Sequence, residues 1–150
     1  MKDNAYSKLM NFKNEYPMCV TWFRLKKHAS IIDKHLNPNE QILYIFAGQL
    51  DNNHLSFFNT GVVAITNERI MIAQNRLIVG YKFSSVTFDL YNDLYVDSGL
   101  IWGIVCIDTI KEKIFISNLD KKCLPEVETS ISTIVREARD TFNKRKKDES

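Results

Sequence analysis

The chain has no paired cysteines, no long apolar run and no cationic middle, and each absence removes a class of protein. Its three cysteines, Cys19, Cys106 and Cys123, are odd in number, widely spaced and never in a CxxC arrangement. That pattern supplies neither a disulfide framework nor a zinc signature, and it predicts reduced thiols in a cytoplasmic setting. The longest apolar stretches fall well short of the ~20 residues a helix needs to cross a bilayer. Met1 to Tyr16 carries a lysine every few residues and no continuous apolar segment, so no secretory leader is expected there. No glycine-rich phosphate loop, nucleophile elbow or HExxH run occurs, and the sequence predicts a protein that is not an enzyme and needs no cofactor.

The net charge of +2 is unevenly spread. Residues 1–40 carry seven basic and four acidic side chains, residues 41–120 five and eight, and residues 121–150 eight and six. The middle is therefore acidic, which argues against a nucleic-acid face built from it. What is present is an ordinary globular composition, 45% hydrophobic over 150 residues, enough for one domain with one good core.

The pattern along the chain divides into helix, strands and helix. Residues 1–16 read as a short helix leading to Pro17. A cleaner one follows, with Thr21 as its cap and Leu25, Ala29, Ile32 and Leu36 on one stripe, ended by Asn37 and Pro38. From Glu40 to Leu119 the pattern is β: QILYIFAGQL, FFNTGVVAIT, RIMIAQ, LIVGYKF, VTFDLYNDLYVD, LIWGIVCID and IFISNL, joined by short polar turns. Asn75 and Arg76 are expected to turn the third strand into the fourth. In the fifth, Asp89, Tyr91, Asp93, Tyr95 and Asp97 are expected on one solvent face. Leu124, Val127, Ile131, Ile134, Val135, Ala138 and Phe142 form one stripe of a final helix, with Pro125 in its first turn. A meander of seven antiparallel strands and a closing amphipathic helix predicts a mainly β (α+β) fold, a bent sheet or barrel with few open edges.

That order of parts resembles the pleckstrin-homology (PH) arrangement. More narrowly, NPNEQILYIFAG, GVVAITNERIMIA and LIWGIVCIDTIKEKIFISNLDKK resemble YokE-like bacterial PH domains over about residues 36–140. The matching features are Pro38 and Glu40 before strand one, the Thr66-x-x-Arg69 corner between strands two and three, and Gly99 through Asp108. The resemblance implies a helical extension over 1–36, a PH-like domain over 37–143 with its C-terminal helix plugging the bent sheet, and a charged tail over 144–150. The TNER corner is read as a tight hairpin loop whose polar side chains bond their own turn.

Relatives that bind phosphoinositides carry cations in and around the first hairpin. Here that segment reads GQLDNNHLSFF, which makes a multiply phosphorylated ligand a poor fit. Asp89, Asp93 and Asp97 are spaced about 13 Å apart along an extended strand, too far to share one metal ion. His28 and His35 are about 10.5 Å apart along a helix and make no ligand set with His54. The remaining candidates are contacts. Arg76 and Lys82 flank the third hairpin, and Tyr91 and Tyr95 give the fifth strand an amphipathic face. Arg24, Lys26, Lys27 and Lys34, with the KRKK tail, form a cationic set that could meet anionic lipid. The expectation is a noncatalytic module that recognises a protein or peptide, or a second copy of itself. Membrane adsorption is the alternative.

Overall fold

The computed structural model describes residues 4–19, 24–53, 57–76 and 78–150. Thr21 and His54 lie outside the described residues, as does Leu77 of the expected fourth strand. Two helices, α1 (Ala5–Glu15) and α2 (Leu25–His35), precede seven strands: β1 (Ile42–Gln49), β2 (Thr60–Thr66), β3 (Arg69–Asn75), β4 (Tyr81–Thr87), β5 (Tyr91–Ser98), β6 (Trp102–Thr109) and β7 (Lys113–Asp120). Helix α3 (Leu124–Asp148) closes the chain.

All strand pairs are antiparallel, in the order β4-β3-β2-β1-β7-β6-β5, so the expected seven-stranded bent sheet is what forms. Its two halves, β1–β4 and β5–β7, meet at one rung, Gln49 opposite Ser117. The crossing is close because Gly48 has no side chain. A Cβ there would sit 2.6 Å from Ile116 Cγ2 and 2.9 Å from the Ser117 carbonyl oxygen.

The centre of the β1–β4 half is buried on both faces, while β4 at its edge is largely open to solvent. All seven residues of β2 are buried, although a strand with one wet face would alternate. Val63 and Ile65 face the main core with Phe46, Ile70, Ile116, Leu119 and the α3 residues Val127 and Ile131. Val62 and Ala64 face the other way, onto Met71, Ala73 and the helix residues Leu9, Ala29 and Ile32. Each large aliphatic buried this way contributes roughly 1.5–3 kcal/mol.

The helices that cover the outer face hold each other in place. Asn4 caps α1 by accepting the Ser7 N–H at 2.9 Å, and Asp33 of α2 accepts the Ala5 N–H at 3.1 Å. On α2 the expected stripe docks on its own sheet, with Leu25, Ala29 and Ile32 buried and Leu36 half-buried. On α3 the stripe is buried through Val135, but Phe142 is 67% exposed because the helix outruns the sheet. The Lys144–Lys147 run continues that helix to Asp148.

Two expectations shift. The β3–β4 connection spans Arg76 to Gly80 instead of turning at Asn75 and Arg76. Arg76 N donates to Gly80 O at 3.0 Å, and Gly80 takes a φ of 75°, open to glycine at little cost. The stretch expected as one fifth strand divides: its start completes β4, Phe88–Leu90 form a 3-10 turn, and β5 begins at Tyr91. A bulge between Tyr91 and Asp93 then reverses the alternation. Tyr91 consequently points into the core with Leu94, while Asp93, Tyr95 and Asp97 stay exposed.

Candidate functional site

The TNER corner is a structural clamp. Thr66 Oγ1 accepts the Glu68 and Arg69 N–H groups at 3.1 and 3.0 Å, which closes the turn on itself as the sequence suggested. It also donates to buried Glu40 Oε1 at 2.7 Å. Glu40 then accepts Arg69 Nε on Oε1, and Arg69 Nη2 and the Asn37 N–H on Oε2, at 3.0, 3.1 and 2.9 Å. Arg69 Nη2 also reaches the His35 carbonyl at 2.6 Å, and Nη1 the Ser85 hydroxyl at 3.3 Å. Burial works to raise the Glu40 pKa, but the Arg69, Asn37 and Thr66 hydrogen bonds and the Arg69 charge outweigh it and hold the carboxyl below its ordinary value. Arg69 thus directs its guanidinium inward, fastening the β2–β3 hairpin to the end of α2 and the entry of β1.

The opposite end of the sheet carries a cleft. Antiparallel order puts the β1–β2 and β3–β4 connections on the end away from TNER, and the β6–β7 hairpin reaches the same place. The β1–β2 connection, strands β3 and β4 and the β6–β7 hairpin line a cleft of about 230 Å³. Leu50, Asp51 and Asn59 come from the first connection, Lys82 and Ser84 from β4, and Glu112, Lys113, Ile114 and Phe115 from the third. Side-chain amides stiffen its floor. Gln74 Nε2 donates to Asn59 Oδ1 at 2.6 Å, Asn59 Nδ2 to Asp51 Oδ2 at 2.9 Å, and Gln49 Nε2 to Thr60 Oγ1 at 2.6 Å. Two lysines and two carboxylates line it, so the cleft carries no excess of positive charge. Apolar side chains stand exposed on all three tips: Phe57 and Phe58, then Ile78 and Val79 at 94% and 77%, then Ile110.

The candidates read from the sequence are dispersed. Lys82 lines this cleft, while exposed Arg76 sits beside it with its carbonyl accepting Arg24 Nη1 at 3.2 Å. Tyr91 is no surface contact: it is buried, its carbonyl accepts Arg139 Nη2 at 2.6 Å, and that guanidinium lies 5.5 Å from its ring centre. Burial, with Asp93 adding, pushes its phenol up to about 12. Tyr95 is exposed on the other half of the sheet, opposite Cys106. Arg24 packs back on the protein, donating also to Asn75 Oδ1 at 3.1 Å, whereas Lys26, Lys27 and Lys34 are exposed on α2. Sequence reasoning missed the amide floor, because Gln49, Asn59 and Gln74 look like ordinary strand-end residues until the fold brings them together.

Among the described residues, no group of three or more His, Cys, Asp or Glu side chains is placed to hold a metal ion, and no helix is long and apolar enough to cross a membrane. The family model for the bacterial PH domain matches residues 36–133, from the approach to the Glu40 clamp into the middle of α3. Comparison with curated proteins gave no match.

Proposed function

The chain belongs to the bacterial PH domain family, whose members are typically noncatalytic binding modules, and we propose that it grips a protein partner, as an exposed peptide segment, on its three-hairpin rim. The observation that carries this reading is the charge-balanced cleft itself, with apolar Leu50, Ile72, Ile114 and Phe115 beside amides and mixed charges, and with exposed Phe57, Phe58, Ile78 and Val79 on the connections between its strands. Apolar tips around a rigid polar floor suit the apolar centre and polar anchors of a protein interface. Two cations and two anions in one lining, Lys82, Lys113, Asp51 and Glu112, suit peptide amides and mixed charges better than a multiply charged phosphate. The Pro38-x-Glu40 lead and the Thr66-x-x-Arg69 corner support a YokE-like placement within the family, and three free thiols support a cytoplasmic setting.

Adsorption to anionic membrane is the rival reading. It draws support from the exposure of Lys26, Lys27 and Lys34 and of the Lys144–Lys147 run.

A phage-displayed random peptide library separates the two. The protein is expected to select a consensus peptide whose binding is lost in Ile78→Asp/Val79→Asp and kept in Leu100→Asp, a substitution at the β5–β6 turn. Failure to select any sequence, with salt-sensitive pelleting on phosphatidylserine vesicles, would instead establish the membrane reading.

A further inference from the structure

Helix α2 carries two histidines, and the fold holds them in opposite hydrogen-bonding states. His28 is buried, and its Nδ1 accepts the Asn75 N–H at 2.7 Å. A backbone N–H can only donate, so that nitrogen has no proton and the ring is neutral. His35 is half-buried, and its Nδ1 lies 2.8 Å from the Ile31 carbonyl, which can only accept. His35 therefore keeps its bond when it becomes an imidazolium, whereas His28 must lose its own.

The ring of His28 stands in for a missing strand. The β2–β3 ladder ends at Val62 opposite Ala73. Arg76 N–H points toward β4, onto the Gly80 carbonyl, so by alternation the Asn75 N–H points to the other side, past the end of that ladder. Arg24, one turn before His28, donates to Asn75 Oδ1 and to the Arg76 carbonyl. Asn75 is thus fixed by backbone and side chain alike. It also stands between two parts of the rim: Gln74 before it donates to Asn59 Oδ1 and the Thr60 carbonyl in the cleft floor, and exposed Ile78 and Val79 lie on the connection after it.

An imidazolium fits this place poorly. Arg24 already puts a cation on the same residue. Strand β2 has no titratable side chain, and β3 has Arg69 alone, at its far end and paired with Glu40. Helix α1 carries Tyr6, packed on the same apolar cluster, with Lys8, Lys13 and exposed Glu15, and Asp33 of α2 is turned to the Ala5 N–H. Among the described residues the buried carboxylates are Glu40, spent on Arg69, and Asp120, on β7. A buried cation without an anion beside it is costly, so the folded chain favours the neutral ring.

We propose that His28 is an acid-sensitive latch on the binding rim, an inference that rests on the peptide reading of that rim. The neutral ring holds Asn75, and through it Gln74 and the β3–β4 tip, in the gripping arrangement. When the ring gains a proton, Nδ1 becomes a donor facing a donor, and the connection loosens from α2. The latch is complete above the ordinary histidine value of about 6.5 and weakens as pH falls below it. One proton is taken up, so affinity falls at most about tenfold for each pH unit.

The test compares the full chain at about pH 7.5 and about pH 5.5 by amide deuterium exchange and by binding of the phage-selected peptide. With intrinsic rates corrected, Asn75 protection should fall at least about threefold at the lower pH, while amides inside β2 keep theirs. The peptide should bind several-fold more weakly there. His28→Asn places a carbonyl oxygen near the Nδ1 position and cannot titrate. Shown to be folded by circular dichroism, it should bind at both pH values alike, although His35 and His54 remain. Wild-type Asn75 protection that ignores pH, or a pH dependence of binding that survives in His28→Asn, would overturn the latch and leave peptide binding standing. Should no peptide be selected, the peptide reading fails, and Asn75 exchange in the wild-type chain still decides whether His28 releases the hairpin.

Discussion

Arg69 and Glu40, 29 positions apart, meet through two hydrogen bonds, Nε to Oε1 at 3.0 Å and Nη2 to Oε2 at 3.1 Å. Glu40 is buried and the Arg69 side chain is 18% exposed, so the carboxylate has no water to turn to if its partner is removed. Arg69→Ala is expected to cost about 3 kcal/mol in urea unfolding, the range for breaking one side of a buried pair. A loss under about 1 kcal/mol would reduce the clamp to an ordinary surface contact.

The same pair sets an acid limit. Because the folded protein holds the Glu40 carboxyl below its ordinary value, it favours the charged form. This contribution is complete above the unfolded value, near 4.5, and disappears as pH falls through the lower folded one. Glu40→Gln should be less stable than wild type at neutral pH and lose less stability between about pH 5 and about pH 3. Parallel acid-unfolding curves for the two proteins would count against this assignment.

Tyr44 Oη donates to Glu126 Oε2 at 2.8 Å, linking β1 to the first turn of α3. Burial and that carboxylate raise its pKa, and burial takes Tyr91 up to about 12. The folded state favours both neutral phenols, so their contribution is present below the unfolded value of 10.0 and is lost as pH rises through the folded ones. Ultraviolet titration should show a late phenolate component that coincides with alkaline unfolding. Tyr44→Phe should lose about 1 kcal/mol and part of that component. One complete phenolate wave before unfolding would be the opposing result.

At the seam between the two half-sheets, Gly48→Ala would place a methyl group 2.9 Å from the Ser117 carbonyl oxygen, which is backbone and cannot rotate away. The expected loss is about 2 kcal/mol, visible as a lower thermal midpoint. A neutral result would mean that the strands separate there without penalty.

The rim itself should be dispensable for folding. Ile78 and Val79 are 94% and 77% exposed, so Ile78→Asp/Val79→Asp should leave the urea midpoint within about 0.5 kcal/mol of wild type while removing peptide binding. A large loss of stability would show that the tip packs against something in solution.

Strand number, antiparallel order and the closing helix were readable because period-2 runs alternate with short polar turns and α3 keeps an apolar stripe across four turns. The TNER corner was readable as a turn, but its hold on Glu40 was not, since β1, the β1–β2 connection and β2 lie between the two in sequence. Tyr91 was misplaced because alternation was extended through a bulge: one added residue reverses every side chain beyond it, and composition does not mark where that residue falls. The cleft and the docking of the segment after α1 depend on contacts between distant segments. Cys19 and Asp120, joined by one hydrogen bond, are 101 positions apart.

The family match begins at residue 36, yet the wall formed by Ile45, Val62, Ala64, Met71 and Ala73 is kept dry by Leu9, Ala29 and Ile32, which precede it. A fragment trimmed to the matched span would carry a bare oily panel, and test-tube work on it would report stickiness that the whole molecule does not possess. Here the self-sufficient unit is larger than the recognisable one, because the segment before the match serves as the cladding of the sheet's outer face.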